Sequence, residues 1–402
     1  MRGLGSSARL NVWPPRPGRS AGSMLSVWVL GFAVAGPVAA QVPFTAIGLG
    51  YPVAPIDARA AALGSTGIGL LGGTFSLRNP ADLSEHQRPG FGMAIVAEDV
   101  DVETTSVPID TGRQRFTVIR AIVPFADWTV SVGFGGELDQ DWTAQLSDTL
   151  ALDEGLVPFE ERRGHDGGIS AIDLSLARRL GPLSLGVSGQ RLLGSVRQSF
   201  VRTFDIPLEG APPLAGAGGS QRIEYGAWRF KAGASLNLKG RAMVSGAIGF
   251  AGDLTAEPKD STVASRAYNL PTTVELGASV LLVDSLMVSA GGGWAGWSTV
   301  EGLDGEIAHD TKWGGVGLEY RSLHILGFDT PLRFGVRRTD LPFSFGEGVL
   351  DETAFSAGAG FIFREGQAAV DLAFEFGRRG DLDEAGVEES FRRLTISFTL
   401  RQ

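Results

Sequence analysis

Gly67-Ile-Gly69-Leu-Leu-Gly72 is a place in this chain of 402 residues where residue type and spacing match a cofactor site. Glycines at that interval cradle a pyrophosphate when they leave a buried strand and open a helix, with an acid about twenty residues on for the ribose. Residues 57–66 form no apolar strand, and Gly92 stands where the acid belongs. The glycines therefore read as positions of close packing. His86, His165, His309 and His324 lack a ligand spacing such as H-E-x-x-H, there is no cysteine, and no G-x-S-x-G elbow occurs. The run Asp381-Leu-Asp383-Glu384 lacks the pattern of a calcium loop and reads as a solvated outer loop. No catalytic residue, metal or cofactor is expected, and the chain does not read as an enzyme.

Charge removes another class of partner. The net charge is −10, and residues 1–40 hold four Arg and no acid, so the remainder is more acidic still. Phosphate neutralisation by basic groups supplies most non-specific affinity for nucleic acid, which is therefore set aside. Residues 1–40 read as a signal peptide: Arg16 and Arg19, then an apolar run from Leu25 to Gly36, then Val38-Ala39-Ala40 before Gln41. That run is too short to cross a bilayer, and no later stretch reaches about eighteen apolar residues. A chain of this kind can span a membrane only as a closed barrel.

Residues 89–402 carry the elements of such a barrel. Val370, Leu372, Phe374 and Phe376 alternate with Ala369, Asp371, Ala373 and Glu375, and the same period of two recurs along the chain. Fourteen antiparallel strands are predicted, the third at 127–138. Short connections alternate with longer ones, such as 139–165 and 203–219, which is the loop pattern of an outer-membrane barrel. Cost assigns the faces: charge is expensive against lipid and tolerated in the lumen. Glu137, Asp173, Arg179, Arg229, Lys231, Glu275, Glu319, Arg333, Arg337, Asp371 and Glu375 should point inward, leaving no evident apolar pocket. On this parity Leu372→Arg and Phe374→Arg should be harmful and Ala373→Arg better tolerated. Trp128, Trp228, Trp294 and Trp297 lie near strand ends and are expected in aromatic girdles.

Ahead of the barrel, residues 41–88 are rich in Gly and Ala and are expected to form a plug broken by the turn Asn79-Pro80-Ala81. The stretch from Asp57 to Leu83 resembles the N-terminal hatch of the long-chain fatty acid outer-membrane transporters, the FadL family. Leu270-Pro271 through Gly277 to Trp297-Ser298, and Leu332-Arg333-Phe-Gly335 followed by Leu341-Pro342 and Phe355-Ser356-Ala357-Gly358, are similar to later patterns of that family. The resemblance implies an outer-membrane β-barrel for passive uptake of hydrophobic small molecules, fatty acids or hydrocarbons, without an energy source. It further implies lateral release at a kink in the third strand, abutted by Asn79, Pro80 and Ala81. Gly133, Gly135 and Gly136 on that strand would permit a bend. The apolar loop residues Ile206, Leu208, Pro212 and Leu214 are the candidate capture groove. Expected partners are a hydrophobic ligand and the surrounding lipid and lipopolysaccharide. Related PorV-like barrels serve exported proteins, so a protein-binding barrel is the second reading and a general porin the third.

Overall fold

The computed structural model describes residues 44–104, 109–152, 155–204, 216–259, 263–303, 307–325, 327–344, 348–363, 366–382 and 386–402. The predicted signal peptide lies outside them. Period-two alternation becomes fourteen wall strands: β1 (Gly90–Thr104), β2 (Ile109–Phe125), β3 (Trp128–Asp139), β4 (Gly155–Leu180), β5 (Leu183–Phe204), β6 (Ala217–Leu238) and β7 (Ala242–Ala251), then β8 (Thr273–Val283), β9 (Leu286–Ala295), β10 (Thr311–Tyr320), β11 (Leu332–Asp340), β12 (Asp351–Phe363), β13 (Ala368–Asp381) and β14 (Val387–Arg401). Each pairs antiparallel with the next, and β14 returns to β1 from Gly90↔Arg401 to Thr104↔Val387, so the ring is closed. Closure pairs the wall edges, whose unpaired backbone groups would each cost several kcal/mol in lipid, apart from the stretch of β2 and β3 beyond Val118↔Gly135.

The parity of the strands sorts as the cost of burying charge requires. Leu174, Val187, Phe230, Leu276, Phe334 and Phe374 are exposed on the outer face, while Asp173, Glu319, Arg333 and Glu375 are buried within. Phe374→Arg should therefore cost about 2–4 kcal/mol at the bilayer midplane and lower the melting temperature of the detergent-solubilised barrel. Ala373 does face inward as expected, but it is fully buried against the plug alanines. Ala373→Arg would collide there, so lumen parity alone does not make the position tolerant. Trp297 also departs from expectation. It sits in a short turn, buried, with its ring 5.3 Å from that of Phe343, rather than in a girdle.

The connections differ from expectation beyond the third strand. Residues 142–152, expected as loop, form a strand paired with β4 from Trp142↔His165 to Leu152↔Gly155. β4 has 26 residues, and β5 and β6 have 22 each. About 9–11 residues suffice to cross a bilayer. The sheet therefore continues past the membrane, and one face of the extension stays buried at Val157, Phe159 and Glu161.

Residues 44–89 fold inside the ring. Their single α-helix, α1 (Ala58–Ala62), begins at Asp57, whose carboxylate accepts from Ala60 N–H at 3.0 Å and Phe75 N–H at 2.8 Å. Small wall residues let the plug approach. A Cβ at Gly277 would lie 2.7 Å from Ile68 Cγ2, and one at Gly317 2.7 Å from Leu63 Cβ.

Candidate functional site

The G-x-G-x-x-G loop is held by the chain's own carboxylates. Gly69 N–H donates to Asp82 Oδ2 at 2.8 Å, and Gly69 and Gly72 occupy the left-handed region at φ +69° and +82°, which favours glycine. Asp82 Oδ1 also accepts from Ser245 Oγ at 2.7 Å, Asn79 Nδ2 at 3.0 Å and the Ser235 hydroxyl, so one carboxylate ties the loop to β6 and β7. Burial pushes the Asp82 carboxyl up from its ordinary value, against the Gly69 N–H and serine hydroxyls that hold it down. Burial likewise pushes His86 down to about 3, leaving it a neutral ring 5.0 Å from Phe75, with Nε2 3.0 Å from Thr74 O. Arg59 closes the loop from the other side, with Nη1 donating to Gly73 O at 2.8 Å and Nε to Glu319 at 2.9 Å. These groups serve to fix the plug.

The candidate hatch turn packs chiefly on β4, β5 and β6, and approaches β3 as well. Asn79 caps the turn Pro80–Glu85, its Oδ1 accepting from Ala81 N–H at 2.9 Å. Asn79 Nδ2 donates to Ala234 O and Ser235 Oγ on β6, and a Cβ at Gly186 on β5 would overlap Pro80 and Ala81. The third-strand glycines meet earlier plug residues. A Cβ at Gly133 would lie 2.8 Å from Leu77 Cδ2, at Gly135 2.8 Å from Pro55 Cβ, and at Gly136 3.2 Å from Val53 Cγ1. Arg78 stands between these two sets of contacts in the chain. Ile206, Leu208, Pro212 and Leu214 lie outside the described residues.

The wall changes character immediately after those glycines. β3 bulges at Glu137, the extra residue between Gly136↔Ser170 and Leu138↔Ile169. At the same height β2 bulges at Thr117, between Val118↔Ala94 and Phe116↔Ile95. Pairing of β2 with β3 runs from Phe125↔Trp128 to Val118↔Gly135 and stops there. Beyond it the edge of β3 is taken by the plug, with Tyr51↔Asp139 and Pro52↔Leu138 in register. Paired bulges bend and twist strands apart, and they produce a seam in the wall here.

A cavity of about 230 Å³ reaches this seam at Arg115, Thr117 and Glu137. Toward the loops it is lined by Val53, Leu138, Ile169, Leu192, Leu254 and Trp297. That apolar layer differs from the charged lumen expected from residues such as Asp173 and Glu375. The signal was present in the inward parity, which turns from Asp173 to Ile169 on β4 and from Gln190 to Leu192 on β5. Leu138 gave no such signal, since only the bulge turns it inward. Deeper in, the lining is charged. Arg229 donates to Glu137 at 2.6 Å, Arg78 pairs with Glu275 at 3.2 Å and lies 4.2 Å over the Trp313 ring, and Lys231 Nζ donates to Leu77 O at 3.2 Å. Glu137 Oε1 is buried with no hydrogen-bond partner among the described residues. The arrangement can take an apolar body above and a polar end below.

No family model and no curated protein matches the chain. Solved structures do. A Pseudomonas aeruginosa FadL homologue is similar at TM-score 0.59 and 14% identity, over 87% of this chain and 99% of that one. The Ralstonia pickettii toluene transporter TbuX is similar at TM-score 0.56 and 15% identity, over 86% and 98%. The P. putida toluene transporter TodX follows at 0.55 and 15%, over 88% and 99%. At these identities the likeness is one of fold, over most of each chain.

Proposed function

We propose that the chain is an outer-membrane channel, not an enzyme, that admits hydrophobic small molecules passively and releases them sideways through the wall. The observation that carries this reading is the seam: an apolar-topped lumen cavity reaches the point where β2 leaves β3. The apolar outer belt and the likeness to toluene transporters and a FadL homologue support it. Residues 41–88 serve as the hatch, with Leu77 and Pro55 seated on Gly133 and Gly135, and Asn79-Pro80-Ala81 anchoring it to β5 and β6. The deeper lining sets Arg78, Arg229 and Lys231 against Glu137 and Glu275. This excess of positive charge favours a long-chain acid over a neutral hydrocarbon.

The test is uptake of palmitate and of toluene by proteoliposomes carrying wild-type protein or Lys231→Met. Wild-type vesicles should take up an apolar probe faster than empty ones. Loss of one hydrogen bond to a charged group should weaken palmitate binding by about 1.5–3 kcal/mol, roughly ten- to a hundredfold, and leave toluene unaffected. Wild-type vesicles no faster than empty ones would refute the channel and favour the protein-binding barrel.

A further inference from the structure

Every wall strand meets its neighbours through a long ladder, except at the seam. There the plug contributes two residues in register, plus Val53 N–H donating to Glu137 O at 2.9 Å. That bond makes Val53 and Tyr51 the hydrogen-bonded positions and leaves Pro52 between them, where a missing N–H costs nothing. On the other side of the gap, Arg115 of β2 reaches across to β3. Its Nη1 donates to Asp139 Oδ2 at 2.5 Å and its Nη2 to Glu98 Oε2 at 2.9 Å. The segment is secured above by Tyr51 OH donating to Glu352 at 2.5 Å, and below by Leu77 N–H donating to Pro55 O at 3.1 Å.

We propose that Tyr51–Val53 is a displaceable wall strand, latched by Arg115, and that a ligand passes sideways only when this strand unzips from β3. The proposal rests on the channel reading. Two further observations point the same way. The cavity of about 230 Å³ is smaller than the roughly 300–1,000 Å³ of ligand pockets, so a long chain requires its lining to move. Val53, Pro52 and Tyr51 are themselves part of that lining, on the side facing the seam. Elements that open in function come from the weakly bonded end of a structure, and this ladder is short where its neighbours on the same strand are long.

The chain has no cysteine, so a designed pair forms without competition. Pro52→Cys with Leu138→Cys occupies a non-hydrogen-bonded pair, whose Cα atoms stand about 4.5 Å apart, within the range a disulfide accepts. In proteoliposomes, oxidation of this variant should lower palmitate uptake roughly tenfold or more, as expected when a gating motion is blocked, and reduction should restore it. Heat-modifiable migration should be the same in the oxidised and reduced forms, which separates a blocked gate from a misfolded barrel. Arg115→Gln in the otherwise wild-type chain should raise uptake and increase the mobility of a spin label at Val53→Cys. Normal uptake by the oxidised pair beside normal wild-type uptake would overturn the gate and leave the channel standing. An immobile label with unchanged uptake in Arg115→Gln would overturn the latch. Failure of wild-type vesicles to admit either probe would remove the channel and the gate together.

Discussion

Arg379→Met should destabilise the barrel more than any single change on its lipid face. Arg379 is wholly buried on β13, with its guanidinium paired to Glu98 and 3.4 Å and 3.3 Å from Glu352 and Glu389. It also lies 4.4 Å over the Tyr51 ring and 4.7 Å over that of Phe391, so one cation joins three strands to the plug. Removing a partner from a buried ion pair costs about 3–5 kcal/mol, because the remaining charge is left in a medium that solvates it poorly. The three carboxylates are not equally exposed to that loss. Glu98 keeps Arg115 and Arg393, and Glu352 keeps Arg337 and the Tyr51 hydroxyl. Glu389 retains the Phe44 N–H at 2.8 Å. A second change, Glu389→Gln, should therefore recover a good part of the loss, whereas Glu352→Gln should recover less. Thermal unfolding of the four proteins in detergent, arranged as a double-mutant cycle, measures this. Additive losses at 379 and 389 would show that the two charges do not share a site.

The charged lumen was visible in the sequence because lipid enforces a one-sided strand. Leu372, Phe374 and Phe376 on one parity against Asp371 and Glu375 on the other admit one orientation, and fourteen such strands followed from repeating the argument. Strand ends were less visible: 142–152 and 155–165 form a local hairpin within what an outer-membrane barrel presents as a long loop, and lipid no longer enforces one apolar face there. The seam was half legible. Gly133, Gly135 and Gly136 marked a place where β3 could bend, but the bulge falls on Glu137 and its counterpart on Thr117, neither of which differs in type from ordinary strand residues. The plug was legible as a stretch of small residues with a Pro turn. Its docking was not, because a glycine on the wall and a leucine in the plug gain meaning only once the ring is closed. So Asn79-Pro80-Ala81 approaches β3, but the residues that sit directly on its glycines are Leu77, Pro55 and Val53.

Gly335→Ala should unseat the plug while leaving the wall intact. A Cβ on Gly335 of β11 would overlap Gly64 N, and it would lie 2.6 Å from Leu63 C and 2.7 Å from Ser356 Oγ. The first two are backbone atoms just beyond α1, where Gly64 and Ser65 hold left-handed conformations at φ +68° and +58°, so the chain cannot yield by a side-chain rotation. Gly64 N–H also donates to Ser356 Oγ at 3.3 Å, and that hydroxyl donates in turn to Ala62 O at 3.0 Å. The new methyl would break this tie as it pushed. Overpacking of a filled core costs about 1–3 kcal/mol where neighbours can shift, and the upper end or beyond is expected against fixed backbone. The ladder of β11 with β10 and β12 does not involve the methyl, so heat-modifiable migration should persist. Small-ion conductance in planar bilayers should rise as the lumen clears. Gly314→Ala is the matched control: the same change on neighbouring β10, with nothing within 4 Å of the added atom. It should leave both migration and conductance as in wild type. Equal conductance in the two variants would mean that the plug is not held by close approach to the glycines of the wall.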